Sequence, residues 1–595
     1  MVYNMKSGKP AFPGFFDLGS LRPRLLEILP RKGAAGTGKA AAYGLPALGK
    51  DLMAGFIVGI VALPLSMAFS ISAGGSPAQG LYTAIGAGFV VSLLGGSKYQ
   101  IAGPTGAFVV IIFGVAAEHG MGGLAVAGLL AGLMLLLMGL SGLGRFIKYI
   151  PYPVTTGFTT GIGVLIFSQQ VKDFLGLRID SIHPAFVEKW ADHVYHIDTL
   201  NITALALGTG TLILILILRR LAPRIPAAAV AVSAATLVSF LLKLPEGAAL
   251  ETIGTRFGGI PSSLPVPSLP RMNWSLIRAV LPDAFTIALL AAIESLLSAV
   301  VADGMTGDRH NANMELVAQG AGNLVSAVFG GIPATGAIAR TAANIKSGAV
   351  SPVAGIVHAL TLAAFILFLA PAASAIPLAS LAAVLIVVSW DMSNAGRFIR
   401  LIKTSSKSDS AVLLTTFVLT VVFDLTFAVE VGVIMAVFLF MRRMVEVSVL
   451  KMENSDLMIQ LAYGEIGAGT KRQMEALSRR ELEIYEITGP FFFGVADMLQ
   501  HTLRNVSKPP RAIILRMGEA PVIDSTGIAA LESFVSQCRA HKIKLFIAEI
   551  QRQPRKTRYK AGLVDDLGPD CFFDTIDEAI EAAACELDDK PAGDC

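Results

Sequence analysis

Gly103-Pro104-Thr105-Gly106-Ala107 and Pro333-Ala334-Thr335-Gly336-Ala337, the second followed closely by Arg340, interrupt a chain that is otherwise monotonously apolar. Each lies in the third apolar segment of its own half, and Thr335 follows Thr105 by 230 positions. The same interval separates Pro64 from Glu294, two irregularities in the first segment of each half. A repeated offset of this kind marks an internal structural repeat. Gly/Pro-interrupted segments at corresponding positions of two halves point to a ligand site near the bilayer midplane, because backbone freed from helical bonding survives there only around a cavity or inside protein.

The bulk composition agrees. Hydrophobic residues make up 53% of the 595 and charged residues 15%, below the roughly 25% charged of ordinary soluble domains. A net charge of +4, dispersed over the first fifty residues, a few loops and the stretch after Arg443, excludes a nucleic-acid surface. Cys538, Cys571, Cys585 and Cys595 all fall in the polar last part, without a CxxC pair or a histidine cluster. That usage implies a reduced setting and neither a metal nor a cofactor. No short apolar stretch with a cleavage site opens the sequence, so insertion is expected to depend on transmembrane helices.

Residues 1–50 read as a cytoplasmic N-terminal region, with a short surface helix near 25–29. Fourteen apolar segments follow, at about 51–72, 78–96, 101–117, 122–143, 153–171, 200–219, 226–243, 283–303, 314–330, 335–346, 351–370, 376–390, 409–426 and 428–445. They divide a transport region at 51–445 into repeats at about 51–243 and 283–445. A helix crossing the hydrocarbon needs about 20 residues, so the segments at Thr105 and Thr335 are expected to end partway across. Lys98, Arg145, Lys148, Arg219, Arg220, Arg224, Arg309, Lys346, Arg397, Arg400, Lys403, Lys407, Arg442 and Arg443 all fall on one side if the N-terminus is inside. The positive-inside rule then makes both termini cytoplasmic. Residues 446–480 read as a linker. Alternating Glu481 to Ile487, the apolar run Ala512 to Leu515 and the run Lys542 to Ala548, separated by helix-like stretches, predict a small α/β domain at 481–588.

Several residues could carry chemistry. Glu294 lies about 18 Å along its helix from Pro282 at 1.5 Å per residue, and a carboxylate at that depth must be protonated, paired or facing water. It reads either as a proton carrier or as a neutral acid locking two helices. Arg340, read as one turn into the segment beginning at Thr335, would add a full charge behind a helix N-terminus already rich in free N–H groups. The half-helix at Thr105 would aim at the same space, making an anion site; alternatively Arg340 serves only to neutralise Glu294. Gly33 to Lys39 resembles a phosphate-binding loop, but Ala40 follows and no strand precedes it, so nucleotide binding is rejected. His310, His358 and the loop histidines read as polar surface or helix-end residues, and Gln319, Asn323 and Asn344 as helix-joining amides.

The stretches Gly59 to Phe69, Gly80-Leu81-Tyr82, Ala102-Gly103-Pro104-Thr105, Ala292 to Leu297, Asp303 to Gly307 and Ala339 to Asn344 jointly resemble the sulfate permease (SulP) anion transporters, across nearly the whole chain. The last domain resembles that family's STAS domain, with Asp524-Ser525-Thr526-Gly527 opening a helix. The resemblance implies a polytopic α-helical protein of fourteen segments in a 7+7 inverted repeat, uracil-transporter-like, with gate and core domains and a homodimeric assembly. It places substrate at Phe69, at Thr105 and Gly106, and at Ala337, Ile338, Ala339 and Arg340, with Glu294 as the proton-coupling acid. Ala337 and Ala339 stand where many relatives carry hydroxyls. The wording is nearest the bacterial C4-dicarboxylate branch, and sulfate, dicarboxylate and bicarbonate all stay open. In related domains the serine corresponding to Ser525 is phosphorylated; the plainer reading is that Asp524 or Ser525 caps the helix.

The chain therefore reads as a non-enzymatic secondary active anion transporter of the inner membrane, a proton symporter of a small dianion. Its expected partners are the anion, protons, the lipid bilayer, a second copy and a cytosolic protein at the STAS domain. An exchanger or channel, and a membrane scaffold acting through the STAS domain, are the competing readings.

Overall fold

The computed structural model describes residues 22–27, 43–144, 151–179, 182–183, 185–222, 225–241, 250–423, 425–447, 449–453, 482–492, 498, 509–555 and 567–587. The loop at Gly33–Lys39 and, apart from Met498, the helical stretch expected from Val495 lie outside these residues. The chain divides into a unit at 1–436 and a unit at 437–595.

The first unit is helical. Its first half comprises α1 (Leu45–Ser72), α2 (Pro77–Leu94), a two-residue strand β1 (Ala102–Gly103), α3 (Gly106–Leu140), α4 (Tyr152–Leu175), a short α5 (Phe186–Tyr195), α6 (Ile202–Leu221) and α7 (Ala227–Leu241). A one-turn helix, α8 (Ile253–Phe257), precedes the second half: α9 (Trp274–Thr306), α10 (Ala312–Val328), β2 (Thr335–Gly336), α11 (Ile338–Lys346), α12 (Val353–Ala373), α13 (Leu378–Ser393), α14 (Ala395–Thr404), α15 (Lys407–Val422) and α16 (Leu425–Val447). Seven of the described helical stretches are long and apolar enough to cross a membrane. The third and fourth expected segments run together as α3, broken at Gly120, whose φ of 68° no helix accommodates. With α3 counted as two, the fourteen segments stand in the expected order.

Several boundaries differ from expectation, among them the start of α1, which begins at Leu45 within the expected N-terminal region rather than at 51. The surface helix near 25–29 is a 3-10 turn at Arg24–Glu27. The segment expected at 283–303 begins at Trp274, because Asn273 caps it, its side chain accepting from Leu276 N at 2.7 Å, and Pro282 is carried inside the helix. The segment expected from 335 becomes helical only at Ile338.

α1, α2, α3 and α9 to α12 form one bundle; α4, α6, α7, α13 and α15 form another. Without a hydrophobic drive between helices in lipid, small residues set how closely they approach. A Cβ on Gly320 of α10 would lie 2.7 Å from the Gly132 carbonyl oxygen of α3, so the two backbones touch. Buried acids tie other elements to backbone. Asp51 of α1 accepts from Val350 N at 2.7 Å and Ser351 N at 3.2 Å, and Glu315 of α10 accepts from Gly96 N at 3.0 Å and Ser97 N at 3.2 Å.

The second unit is a five-stranded sheet in the order β3 (Val449–Glu453), β4 (Leu482–Thr488), β5 (Ala512–Arg516), β6 (Lys544–Ala548), β7 (Phe572–Phe573). β3 runs antiparallel to β4 and the remaining pairs are parallel. The linker expected over 446–480 therefore includes the edge strand β3, whose five residues pair with Ile484–Thr488. Alternation along the strands loads both faces. Tyr485, Ile487, Ile513 and Leu515 pack with Phe534 of α17 (Ser525–Ala540), while Ile484, Ile514 and Phe546 pack with Ile580 and Ala583 of α18 (Ile576–Leu587). Burial pushes the Cys538 thiol up to about 12, so it sits in this core as an unreactive apolar group.

Gly320→Val should cost about 1–3 kcal/mol through overpacking against the Gly132 backbone. Thermal unfolding of the purified protein should show a lowered midpoint; an unchanged midpoint would refute this close contact.

Candidate anion site between two broken helices

Extended backbone enters both half-helices. β1 and β2 pair antiparallel, Ala102 opposite Gly336 and Gly103 opposite Thr335, and Ala337 N donates to the Ile101 carbonyl at 2.8 Å. α9 supports the crossing. Ser295 Oγ lies 2.9 Å from Thr335 Oγ1 and accepts from Gly336 N at 3.1 Å; Thr335 Oγ1 also donates to the Ala291 carbonyl at 3.1 Å. Gln100 Nε2 donates to the Ser295 carbonyl at 3.1 Å, and Ile101 N to Thr341 Oγ1 at 3.1 Å. Asn323 holds the peptide before β2 from both sides, accepting from Ala334 N and donating to the Ala334 carbonyl, each at 2.8 Å. Asn344 Nδ2 donates to the Tyr99 carbonyl at 3.0 Å, so Asn323 and Asn344 fasten their helices to the segments entering β2 and β1 rather than to other helices, while Gln319 bonds within α10, donating to Glu315 Oε1 at 3.0 Å.

The helices begin at Gly106 and Ile338, with Thr105 and Ala337 as N-caps, and neither cap's side chain satisfies the first free N–H groups. The structural counterpart of Thr105 is thus Ala337, two residues beyond the motif match at Thr335. Ile338 is 41% exposed and Ala339 is exposed too, so the first turn of α11 opens to accessible space, while Ala337 and Arg340 on either side are buried. Gly106 is closely surrounded: a Cβ there would lie 2.7 Å from Met392 Sδ of α13, 3.0 Å from Ile166 Cδ1 of α4 and 3.3 Å from Phe69 Cε1 of α1. Both bundles therefore meet at this glycine.

The charged residues attach to consecutive positions of one strap. Thr105 Oγ1 donates to Glu294 Oε2 at 3.0 Å, and Arg340 Nη2 donates to the Pro104 carbonyl. No ion pair joins Arg340 to Glu294 among the described residues. Arg340 occupies the third helical position, inside the first turn rather than one turn along, and its guanidinium crosses to the other half-helix. Its Nη1 is buried and unpartnered, against Gly103, where a Cβ would come within 2.7 Å of it. Gly103 has a φ of 155°, and no larger residue would leave room for the guanidinium.

The structure thus brings Phe69, Thr105, Gly106, Glu294, Ala337, Ile338, Ala339 and Arg340 around one crossing. Sequence reasoning quoted Gly103 as part of the interruption without giving it a role, missed Gln100, Ser295 and Thr341, although their polarity within apolar runs was a signal, and missed Ile166 and Met392, which carry none. His310 sits at a helix end, bonded to Asp303 at 2.7 Å. His358 differs from expectation. It is wholly buried in α12 beside Gly88, with neither ring nitrogen bonded, because the small residues of α2 leave room for a ring there. Ser525 stands in the other unit, exposed at the first position of α17, while Asp524 caps that helix by accepting from Gly527 N at 2.7 Å.

Two helical repeats whose broken third segments cross at mid-bundle define a membrane transport protein. Residues 48–416 match the Sulfate permease family and residues 473–579 match the STAS domain. The chain belongs to the sulfate permease family: it is a multi-pass membrane anion transporter with a C-terminal STAS domain, not an enzyme. It is 42% identical over 543 residues to the Bacillus subtilis protein named "Putative sulfate transporter YvdB", spanning 91% of this chain and 99% of that one. It is 31% identical over 551 residues to the "Bicarbonate transporter BicA" of a Picosynechococcus species, spanning 90% and 94%. The solved murine anion transporter Slc26a9 shares the fold, with a TM-score of 0.79 at 19% identity, covering 94% of this chain and 97% of that one.

Arg340→Ala should abolish concentrative anion uptake in liposomes while leaving membrane insertion and the elution profile unchanged. Uptake at the unsubstituted rate by a correctly inserted variant would remove Arg340 from the site.

Proposed function

We propose that the protein is a secondary active, proton-coupled symporter that takes a small dianion, sulfate or a C4-dicarboxylate, across the inner membrane. The observation that carries this reading is the crossing itself: two uncapped helix N-termini and the buried Arg340 guanidinium converge at one place, with Glu294 as the acid beside them. Each N-terminus is equivalent to about half a positive charge, so with Arg340 the site offers about two. A neutral Glu294 leaves that sum matched to a dianion; an ionised one reduces it to about one, matched to bicarbonate.

The coupling follows from that arithmetic. Dianion entry favours the protonated acid, and the Thr105 hydroxyl links Glu294 directly to the cap of the first half-helix, so proton and anion occupancy are felt at one peptide. Phe69, Gly106, Ala337, Ile338 and Ala339 line the place where the anion sits; Ala337 and Ala339 add no hydroxyl donors, which leaves recognition to backbone N–H groups and charge. The basic loops support an orientation with both termini cytoplasmic. The protein works as a homodimer, and its STAS domain meets a cytosolic partner. Ser525, exposed at the start of α17, is its phosphorylation site, since a phosphate there would be favoured by the helix dipole.

Bicarbonate transport is the second reading, favoured by the 31% identity to BicA over nearly the whole chain. Purified protein in liposomes, offered sulfate, succinate or bicarbonate with and without an inward proton gradient, decides between them. Uptake of sulfate or succinate stimulated by the gradient supports the proposal; uptake of bicarbonate alone, or uptake indifferent to the gradient, overturns it.

Glu294→Gln mimics the neutral acid and cannot release a proton. Exchange of internal for external anion should persist, while uphill accumulation driven by a pH gradient falls to background; retained accumulation would make Glu294 structural. Ser525→Glu should alter the transport rate without changing the ranking of competing anions. A changed ranking would mean that the STAS domain shapes the pathway itself.

A further inference from the structure

α5 is built inside out. Val187, Val194 and Tyr195 are exposed, at 69%, 68% and 83%, whereas Lys189 and His193, one turn apart, are each only 2% exposed. An amphipathic helix normally turns its apolar stripe inward and its cations to water, so this polarity needs a cause in what α5 covers.

It packs against both α3 and α4 beside the seam between them. At one level of that seam Gly106 meets Ile166. About 10 Å further along α3, at 1.5 Å per residue, the Phe113 ring receives the Lys189 ammonium at 5.4 Å from its centroid. On the α4 side, Ser168 takes the Trp190 indole N–H on its hydroxyl at 3.0 Å, and its carbonyl lies 2.9 Å from His193 Nε2. His193 Nδ1 is buried and unbonded. Among the described residues, the ring face is the only partner given to the Lys189 ammonium. Asp192 is engaged with His183 at 2.9 Å, and the other cation nearby, Lys172 of α4, bonds the Ile179 carbonyl.

Burial holds the Lys189 ammonium down to about 8, so it still carries charge at neutral pH. A buried charge needs a counter-charge, and cation–π contact alone contributes only about 0.5–2 kcal/mol.

We propose that the Lys189 ammonium, beside the His193 ring, forms a second anion site, which holds a small oxyanion at the α3–α4 seam on its way to or from Gly106. The route rests on the transport reading above; the binding does not.

Trp190 reports on the site directly, its ring 5.8 Å from that of His193. The chain has three tryptophans, so Trp274→Phe with Trp390→Phe leaves Trp190 as the sole emitter. Sodium sulfate and sodium bicarbonate, titrated at constant ionic strength into this full-length protein in detergent, should each change its emission saturably. Lys189→Met should raise the dissociation constant at least ten-fold, Lys189→Arg should restore it to within about three-fold, and Arg340→Ala should leave it within two-fold. A flat titration, a signal untouched by Lys189→Met, or one lost in Arg340→Ala would overturn the second site. A saturable, Lys189-dependent signal from a protein that carries none of sulfate, succinate and bicarbonate in liposomes would uphold the site and defeat the transport reading.

Discussion

Two residues from each repeat, paired antiparallel in the middle of a helical bundle, hold this transporter's candidate site together. In hydrocarbon every backbone N–H and C=O must be satisfied within the protein, so a helix cannot simply stop at mid-membrane. Ala102–Gly103 and Thr335–Gly336 resolve this by bonding to each other, and the Ala337 N–H to Ile101 contact extends the ladder. Side chains of α9, α10 and α11 take up what remains. Ser295, Asn323 and Thr341 are structural consequences of the crossing, required because two helices start there.

Pro104 and Thr105 then link that scaffold to charge. The Pro104 carbonyl accepts from Arg340 and the Thr105 hydroxyl donates to Glu294, so the basic and acidic groups hold successive residues of one strap without touching each other. A direct Arg340–Glu294 pair would cancel the field that an anion needs. Separation by one residue keeps both charges close to Gly106 and lets each respond to the other through the peptide between them. One guanidinium nitrogen stays unbonded beside Gly103, an arrangement that costs stability unless something else uses the charge.

Much of this was legible in the sequence because membranes impose coarse rules. Helix count followed from apolar segment length, and the crossing from paired Gly/Pro interruptions. Register was less accessible. Thr105 and Thr335 match as letters but not as structure, since the first threonine caps a helix and the second lies in β2. A motif match sees composition, whereas helix start depends on where Ser295 and Gln100 capture the incoming strand. Likewise His358 read as a surface or helix-end residue because nothing local announces burial; its placement depends on small residues of α2. Ile166 and Met392 had no signal, being apolar residues among apolar residues.

Those two residues matter for motion. Gly106 begins a half-helix of the first bundle, yet its nearest side chains, Ile166 and Met392, belong to the second. These contacts are apolar and therefore non-directional, so they can slide, while the polar bonds that fix Pro104 and Thr105 run almost entirely within the first bundle. Relative movement of the two bundles would shear the Gly106 contacts and leave the β1–β2 crossing intact. The site would travel as a rigid piece past a smooth apolar wall, with access changing on either side of it while its charges keep their spacing.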